Sequence, residues 1–171
     1  MNASSDLFID TGARFSPCRT WRYDLWRRWA AGPSVLWLLL NPSTAGEVAN
    51  DPTVERCERR SRTMGYGSLY VCNIFALRST DPKWLYTADD PIGPENDSAI
   101  LERAQGVDLV VCGWGNHGLF AGRGQRVLAM LADAGVETHC LRVTGAGEPG
   151  HPLYIGYGVE PRPLAAAGGG G

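Results

Sequence analysis

Three side chains able to bond or polarise a polar ligand, and one large aromatic, each follow an apolar run in this chain. Asn41 ends Val35-Leu36-Trp37-Leu38-Leu39-Leu40 and is followed by Pro42-Ser43-Thr44. Asn73 ends Leu69-Tyr70-Val71-Cys72, Trp114 comes two residues after the run closing at Cys112, and His151 follows a glycine-rich stretch beyond residues 136–143. A carboxamide carries both donor and acceptor, and an imidazole can donate, accept or move a proton near neutral pH. In open α/β sheets, ligands bind just beyond the carboxyl ends of the strands. Asn41, Asn73, Trp114 and His151 are therefore expected to line one pocket, with the backbone at Asn41 stiffened by Pro42. Each has a plainer structural role as well: turn former for Asn41, strand-end hydrogen bonder for Asn73, core aromatic for Trp114 and exposed loop residue for His151.

Other reactive types are less suggestive. His117, near a helix start, and His139, inside a strand, read as structural. Gly145, Gly147 and Gly150 are spaced for an anion-binding nest but make no phosphate-loop signature. Fifteen of the sixteen basic residues are arginine, Lys83 being the exception. Arginine's planar fork suits phosphate and carboxylate, which keeps a phosphate role open for Arg56 and Arg78; Arg59 and Arg60 read as surface residues paired with Glu55 and Glu58. The five cysteines form no Cys-x-x-Cys pair, so reduced core thiols are expected, with no metal, cofactor or disulfide framework.

The elements that must position these groups follow from pattern. Runs of four to six apolar residues read as strands buried on both faces. Asp51-Pro52-Thr53 reads as a helix start, N-cap then proline, running to about Met64 before Gly65. Further helices are expected from near Pro94 to Ala104 and from about Gly122 to Ala134, with a long loop over residues 79–94. Trp21, Tyr23 and Leu25 alternate with polar residues, which suggests a strand entering a hairpin through residues 30–34, an amphipathic helix being the alternative. Strands alternating with helices imply right-handed crossovers and a parallel sheet. A single domain over residues 1–160 is expected, with a flexible Ala/Gly tail at 161–171. The 171 residues are 44% hydrophobic and 20% charged, as in an ordered chain. The net charge of -2 does not advertise a nucleic-acid binder. The absence of a signal-like N-terminus or spanning run suggests a cytoplasmic protein without membrane partner, expected to be a monomer.

Leu40-Asn41-Pro42-Ser43-Thr44-Ala45, Asp51-Pro52-Thr53, Gly65-Tyr66-Gly67, Asn73-Ile74-Phe75-Ala76, Arg78-Ser79-Thr80-Asp81-Pro82, Trp114-Gly115 and His151-Pro152-Leu153-Tyr154 together closely resemble a bacterial and phage family, domain of unknown function 1643. The chain is also distantly similar to the uracil-DNA glycosylase superfamily. Asn41-Pro42 resembles the first motif of its mismatch-specific branch, Asn73 resembles a strand-end asparagine that reads a base edge, and Gly150-His151-Pro152-Leu153 resembles the closing His-Pro-Ser motif. Leu153 replaces that serine, and the serine-proline intercalation segment and the four-cysteine cluster of some branches are absent.

This resemblance implies a three-layer α/β/α fold around a mainly parallel four-stranded sheet, with an extra N-terminal hairpin strand. It implies metal-independent hydrolysis of an N-glycosidic bond in DNA or a nucleotide, on a modified pyrimidine for example. Asn41 and His151 would be catalytic, Asn41 orienting water and His151 donating to the departing base. Pro42, Ser43, Asn73, Phe75, Arg78 and Trp114 would bind the substrate, Asn73 reading its edge and Trp114 or Phe75 stacking on it. The alternative is a non-catalytic module that binds a nucleotide or modified base in the same pocket. A cysteine-based transferase using Cys72 or Cys112 is a third reading, opposed by the burial expected of both thiols.

Overall fold

The run from Val35 to Leu40 has no polar side chain, so a strand built from it must be covered on both faces. In the computed structural model, which describes residues 8–164, it forms β3 (Ser34–Leu39). Val35, Trp37 and Leu39 pack on one face with Val54 and Cys57, while Leu36 and Leu38 pack on the other with Ile100, Ala104, Val127 and Leu131. Trp37 is fully buried, and its indole N–H donates to Ser61 Oγ at 2.9 Å, which meets the polar demand of a buried tryptophan.

The first of those faces is covered by α1 (Pro52–Thr63), the second by α2 (Asn96–Gln105) and α3 (Arg123–Asp133). The remaining strands are β1 (Asp10–Phe15), β2 (Arg22–Arg28), β4 (Ser68–Asn73), β5 (Leu109–Cys112), β6 (His139–Cys140) and β7 (Arg162–Pro163). They form one sheet in the order β1-β2-β4-β3-β5-β6-β7. β4, β3, β5 and β6 run parallel, and β1, β2 and β7 are attached through antiparallel pairings.

The chain is α/β, but the expected four-stranded sheet is corrected to a mixed one of seven strands. β1 arises from Asp10–Phe15, where no apolar run marks a strand in the sequence, because its ladder is supplied by β2, with Ala13 opposite Leu25. β2 does not turn back onto β3. Trp29 and Ala30 donate to Gly67 O, Gly67 donates to Pro33 O, and β2 pairs with β4 instead. The expected fourth strand over residues 136–143 shrinks to His139–Cys140. The start of the presumed tail is also corrected, since Arg162 and Pro163 pair with Cys140 and His139; residues 165–171 lie outside the described residues.

α1 begins as its sequence requires. Asp51 Oδ1 accepts from Val54 N at 2.9 Å, and Asp51 Oδ2 accepts from Ala45 N at 3.3 Å. One buried carboxylate thus caps the helix and holds the loop that descends from Asn41. No helix of the described residues is long and apolar enough to cross a membrane.

Candidate functional site

The parallel quartet ends on one edge, and a cleft of about 520 Å³ opens there. Asn41, just beyond β3, lines it together with Ser43. The β3 ladder runs out at this point: Phe75 N donates to Leu40 O, and Pro42 has no N–H with which to continue. Asn41 Nδ2 donates to Pro42 O at 3.2 Å and Ser79 O at 2.9 Å. Two carbonyls fix which end of the amide carries nitrogen. Oδ1 is left as an acceptor, with no bond to the described residues.

His151 stands on the other wall. Its Nδ1 accepts from Leu153 N at 3.2 Å. Burial pushes the imidazole down to about 4, and the opposing pull of the Asp51 charge is smaller. The ring is therefore neutral at pH 7, and with Nδ1 accepting, the proton sits on Nε2. Tyr154, highly exposed, lies beside it with ring centroids 5.8 Å apart.

The His151 wall continues into a single 3₁₀ turn, Pro152–Tyr154, that is tied to α1. Arg56 Nε and Nη2 donate to Pro152 O and Ile155 O at 2.9 and 2.6 Å. Arg60 donates to Ile155 O, Gly156 O and Val159 O at 2.6, 2.6 and 2.8 Å. The loop leaving Asn41 is held in the same manner. Arg22 donates to Ala45 O at 3.0 Å, and Arg27 donates to Gly46 O at 2.7 Å and Ala49 O at 3.1 Å. Arg56 and Arg60 thus anchor a loop, where the sequence suggested a phosphate contact for the first and a surface ion pair for the second. An arginine's five donors suit a loop whose carbonyls have no ladder.

Trp114 also lines the cleft, but it is 1% exposed and its Nε1 donates to Glu148 Oε1 at 3.2 Å. Gly118 sits against its ring, where a Cβ would lie 2.0 Å from Cδ1. Trp114 is a fixed backing with no open face. Other expected site residues lie elsewhere. Asn73 ends β4 but is 2% exposed, and its Oδ1 accepts from Arg22 Nη2 at 3.1 Å. Phe75 is core, 5.9 Å from the Phe120 ring. Arg78 donates to Arg19 O and lies over the Phe15 ring. Pro42 is buried, contributing its carbonyl to Asn41 and Ser79. Cys72 and Cys112 are buried and their thiols are pushed up by burial, so neither supplies a thiolate for group transfer.

The sequence reading missed Arg142, Thr144, Asn116 and His117, all of which line the cleft. Thr144 Oγ1 donates to Asn116 Oδ1 at 2.6 Å, and Tyr86 Oη is 2.8 Å from His117 Nδ1. The signal for Asn116 and His117 was their place just past the third apolar run. Arg142 and Thr144 follow a strand too short to mark its own end.

A family model described as "Protein of unknown function (DUF1643)" matches residues 22–153. No curated protein and no solved structure matches the chain.

Proposed function

The chain belongs to the DUF1643 family, and from the cleft its fold builds we propose that it hydrolyses an N-glycosidic bond in DNA or in a nucleotide. The family description carries no activity, so this reading stands on the cleft. The observation that carries it is a pair of neutral groups of opposite hydrogen-bonding sense, the Asn41 Oδ1 acceptor and the His151 Nε2 donor, in one cleft.

The reaction needs that pair. As the bond from the sugar carbon to the base nitrogen breaks, positive charge grows on the sugar and negative charge on the base. Asn41 Oδ1 accepts a hydrogen bond from water and aims the water oxygen at the sugar carbon. His151 Nε2–H donates to a carbonyl oxygen of the base and stabilises the departing anion, as preorganised donors do for other oxyanions. The base leaves with the bonding electron pair, and water supplies oxygen to the sugar and its proton to solvent.

Tyr154, exposed beside His151, is the ring in place to stack on the base. The base-edge role expected of Asn73 is not carried forward, because Arg22 occupies its Oδ1. The parallel strand quartet with a cleft at its edge supports a glycosylase-like fold, while the added strands and Leu153 depart from that pattern.

A second reading is a non-catalytic module that binds a nucleotide or modified base. It is favoured by the absence of any carboxylate among the residues lining the cleft, since Asn41 orients water without deprotonating it. Incubation with a panel of oligonucleotides and nucleotides carrying common and modified bases, with mass detection of released base, tests both. Release on any substrate is the expected result; saturable binding without release on every substrate would leave the binding module.

A further inference from the structure

We propose that Arg142, Asn116 and His117 form a phosphate-binding subsite in the cleft, so that its ligand is a phosphate ester and not a free base or nucleoside. The inference rests on the reading that the cleft takes a nucleotide, and adds which part of the nucleotide is gripped.

All three residues line the cleft and are exposed. Arg142 forms no ion pair among the described residues, and its side chain makes one hydrogen bond to them, a long one of 3.5 Å to Tyr154 O. This sets it apart from Arg22, Arg27, Arg56 and Arg60, whose donors meet carbonyls of the two loops. Asn116 is oriented from behind: Thr144 Oγ1 donates to its Oδ1 at 2.6 Å, so the amide NH₂ is turned away from that contact and free to donate. His117 is oriented in the same sense. The Tyr86 hydroxyl, 2.8 Å from Nδ1, can donate to it and leave Nε2–H as the outward group. Tyr86 is in turn set by an edge contact with Phe120 at 4.4 Å.

The subsite is thus made of donors only. The carboxylates in the surrounding loops are engaged elsewhere: Glu148 is buried against Trp114, Asp51 caps α1, and Asp81 accepts from Lys83 N. A guanidinium, an amide NH₂ and an imidazole N–H without a facing acid match the oxygens of a phosphate.

Phosphate can arrive as the terminal group of a mononucleotide or as a diester within a strand. Calorimetric titration of the full chain with the common 2′-deoxynucleosides, their 5′-monophosphates and trinucleotides lacking terminal phosphate separates the two. The expected result is that a phosphorylated form binds on the order of tenfold more tightly than its nucleoside. Preference for the monophosphate assigns a free nucleotide, and preference for the trinucleotide assigns a strand. Inorganic phosphate should compete. Arg142→Gln and Asn116→Asp should each remove the phosphate advantage while leaving nucleoside affinity in place. The aspartate keeps an acceptor for Thr144, and both positions are exposed, so thermal unfolding should match the parent.

Equal affinity for nucleosides and phosphorylated forms, an equal loss for both in the variants, or no binding by any of these probes would overturn the subsite. Base release is not part of this readout. A phosphate advantage here, with no base released from any substrate of the wider panel, would sink the hydrolytic reading alone.

Discussion

His151 meets the cleft with its proton placed by the backbone. Leu153 N–H occupies Nδ1, so the neutral ring has one donor to offer. If that donor stabilises the departing base, His151→Ala should slow base release by about 2.7–4 kcal/mol of transition-state stabilisation and weaken ligand binding only slightly. Single-turnover rates beside equilibrium titrations would separate the two effects. The release rate should also show no inflection near the ordinary imidazole range, since burial has moved this group down to about 4. A rate that changes tenfold per pH unit around 6.5 would show the imidazole titrating as a solvated group. Asn73→Ala is expected to leave base preference alone and to lower stability, because it strips a partner from the buried Arg22 guanidinium. Roughly 1–3 kcal/mol is the expected loss in urea unfolding. Asn41, Trp114 and His151 could be placed on one edge from sequence because each closes or follows an apolar run, whereas Ser43 came only with the resemblance. Asn73 and Phe75 satisfied the same rule and were buried. The pattern cannot say that an arginine on β2, fifty-one positions earlier, will take the carboxamide.

The elements divide by how local their causes are. α1 was legible because its determinants are adjacent: Asp51 at the cap, Pro52 at the first turn, Gly65 beyond the end. β1 was not, because its pairing is supplied across the sheet by β2. The crossing of residues 30–33 over the start of β4 was hidden too, and depends on Gly67. A Cβ there would lie 2.5 Å from Ala30 O, so Gly67→Ala must push two backbones apart. Overpacking of this kind typically costs about 1–3 kcal/mol, and the thermal midpoint should fall accordingly. The arginines of α1 belong to the same class of non-local cause. Arg60→Met keeps much of the buried stem and removes the donors to Ile155, Gly156 and Val159. Amide exchange should then accelerate around residues 153–156 while the β3 and β4 amides keep their protection. Uniform acceleration across the sheet would show that the clamp supports the whole fold.

At the scale of the molecule, the sheet joins a parallel quartet, where the cleft forms, to antiparallel strands on either side. The α/β class was legible because the apolar runs carry no polar face. The strand count was not, since β6 and β7 are two residues each and have no periodicity to detect. The buried imidazole also links the cleft to global stability. His151 is held down to about 4 in the folded chain against an ordinary value of 6.5. Between those values the unfolded chain binds a proton that the folded chain refuses, so this group's contribution is complete above about 6.5 and is lost as pH falls toward 4. Urea midpoints across that window should fall more steeply for the parent than for His151→Gln, which cannot titrate.

The two walls of the cleft are attached by different means. Asn41 continues a central strand, whereas His151 rides on a loop tied to α1 through arginine side chains. Backbone bonds pin its entry, Gly115 N to Pro149 O at 2.8 Å and Gly150 N to Arg142 O at 2.7 Å, so the arginines govern only the stretch beyond. Were their clamp cut, that stretch would gain an open population, and a ligand that touches both walls would bind only the closed one. The apparent dissociation constant is then the intrinsic value divided by the closed fraction. Residues on α1 that put no atom in the cleft would thereby set affinity, and a partner that drew on that helix would release the ligand without ever meeting it.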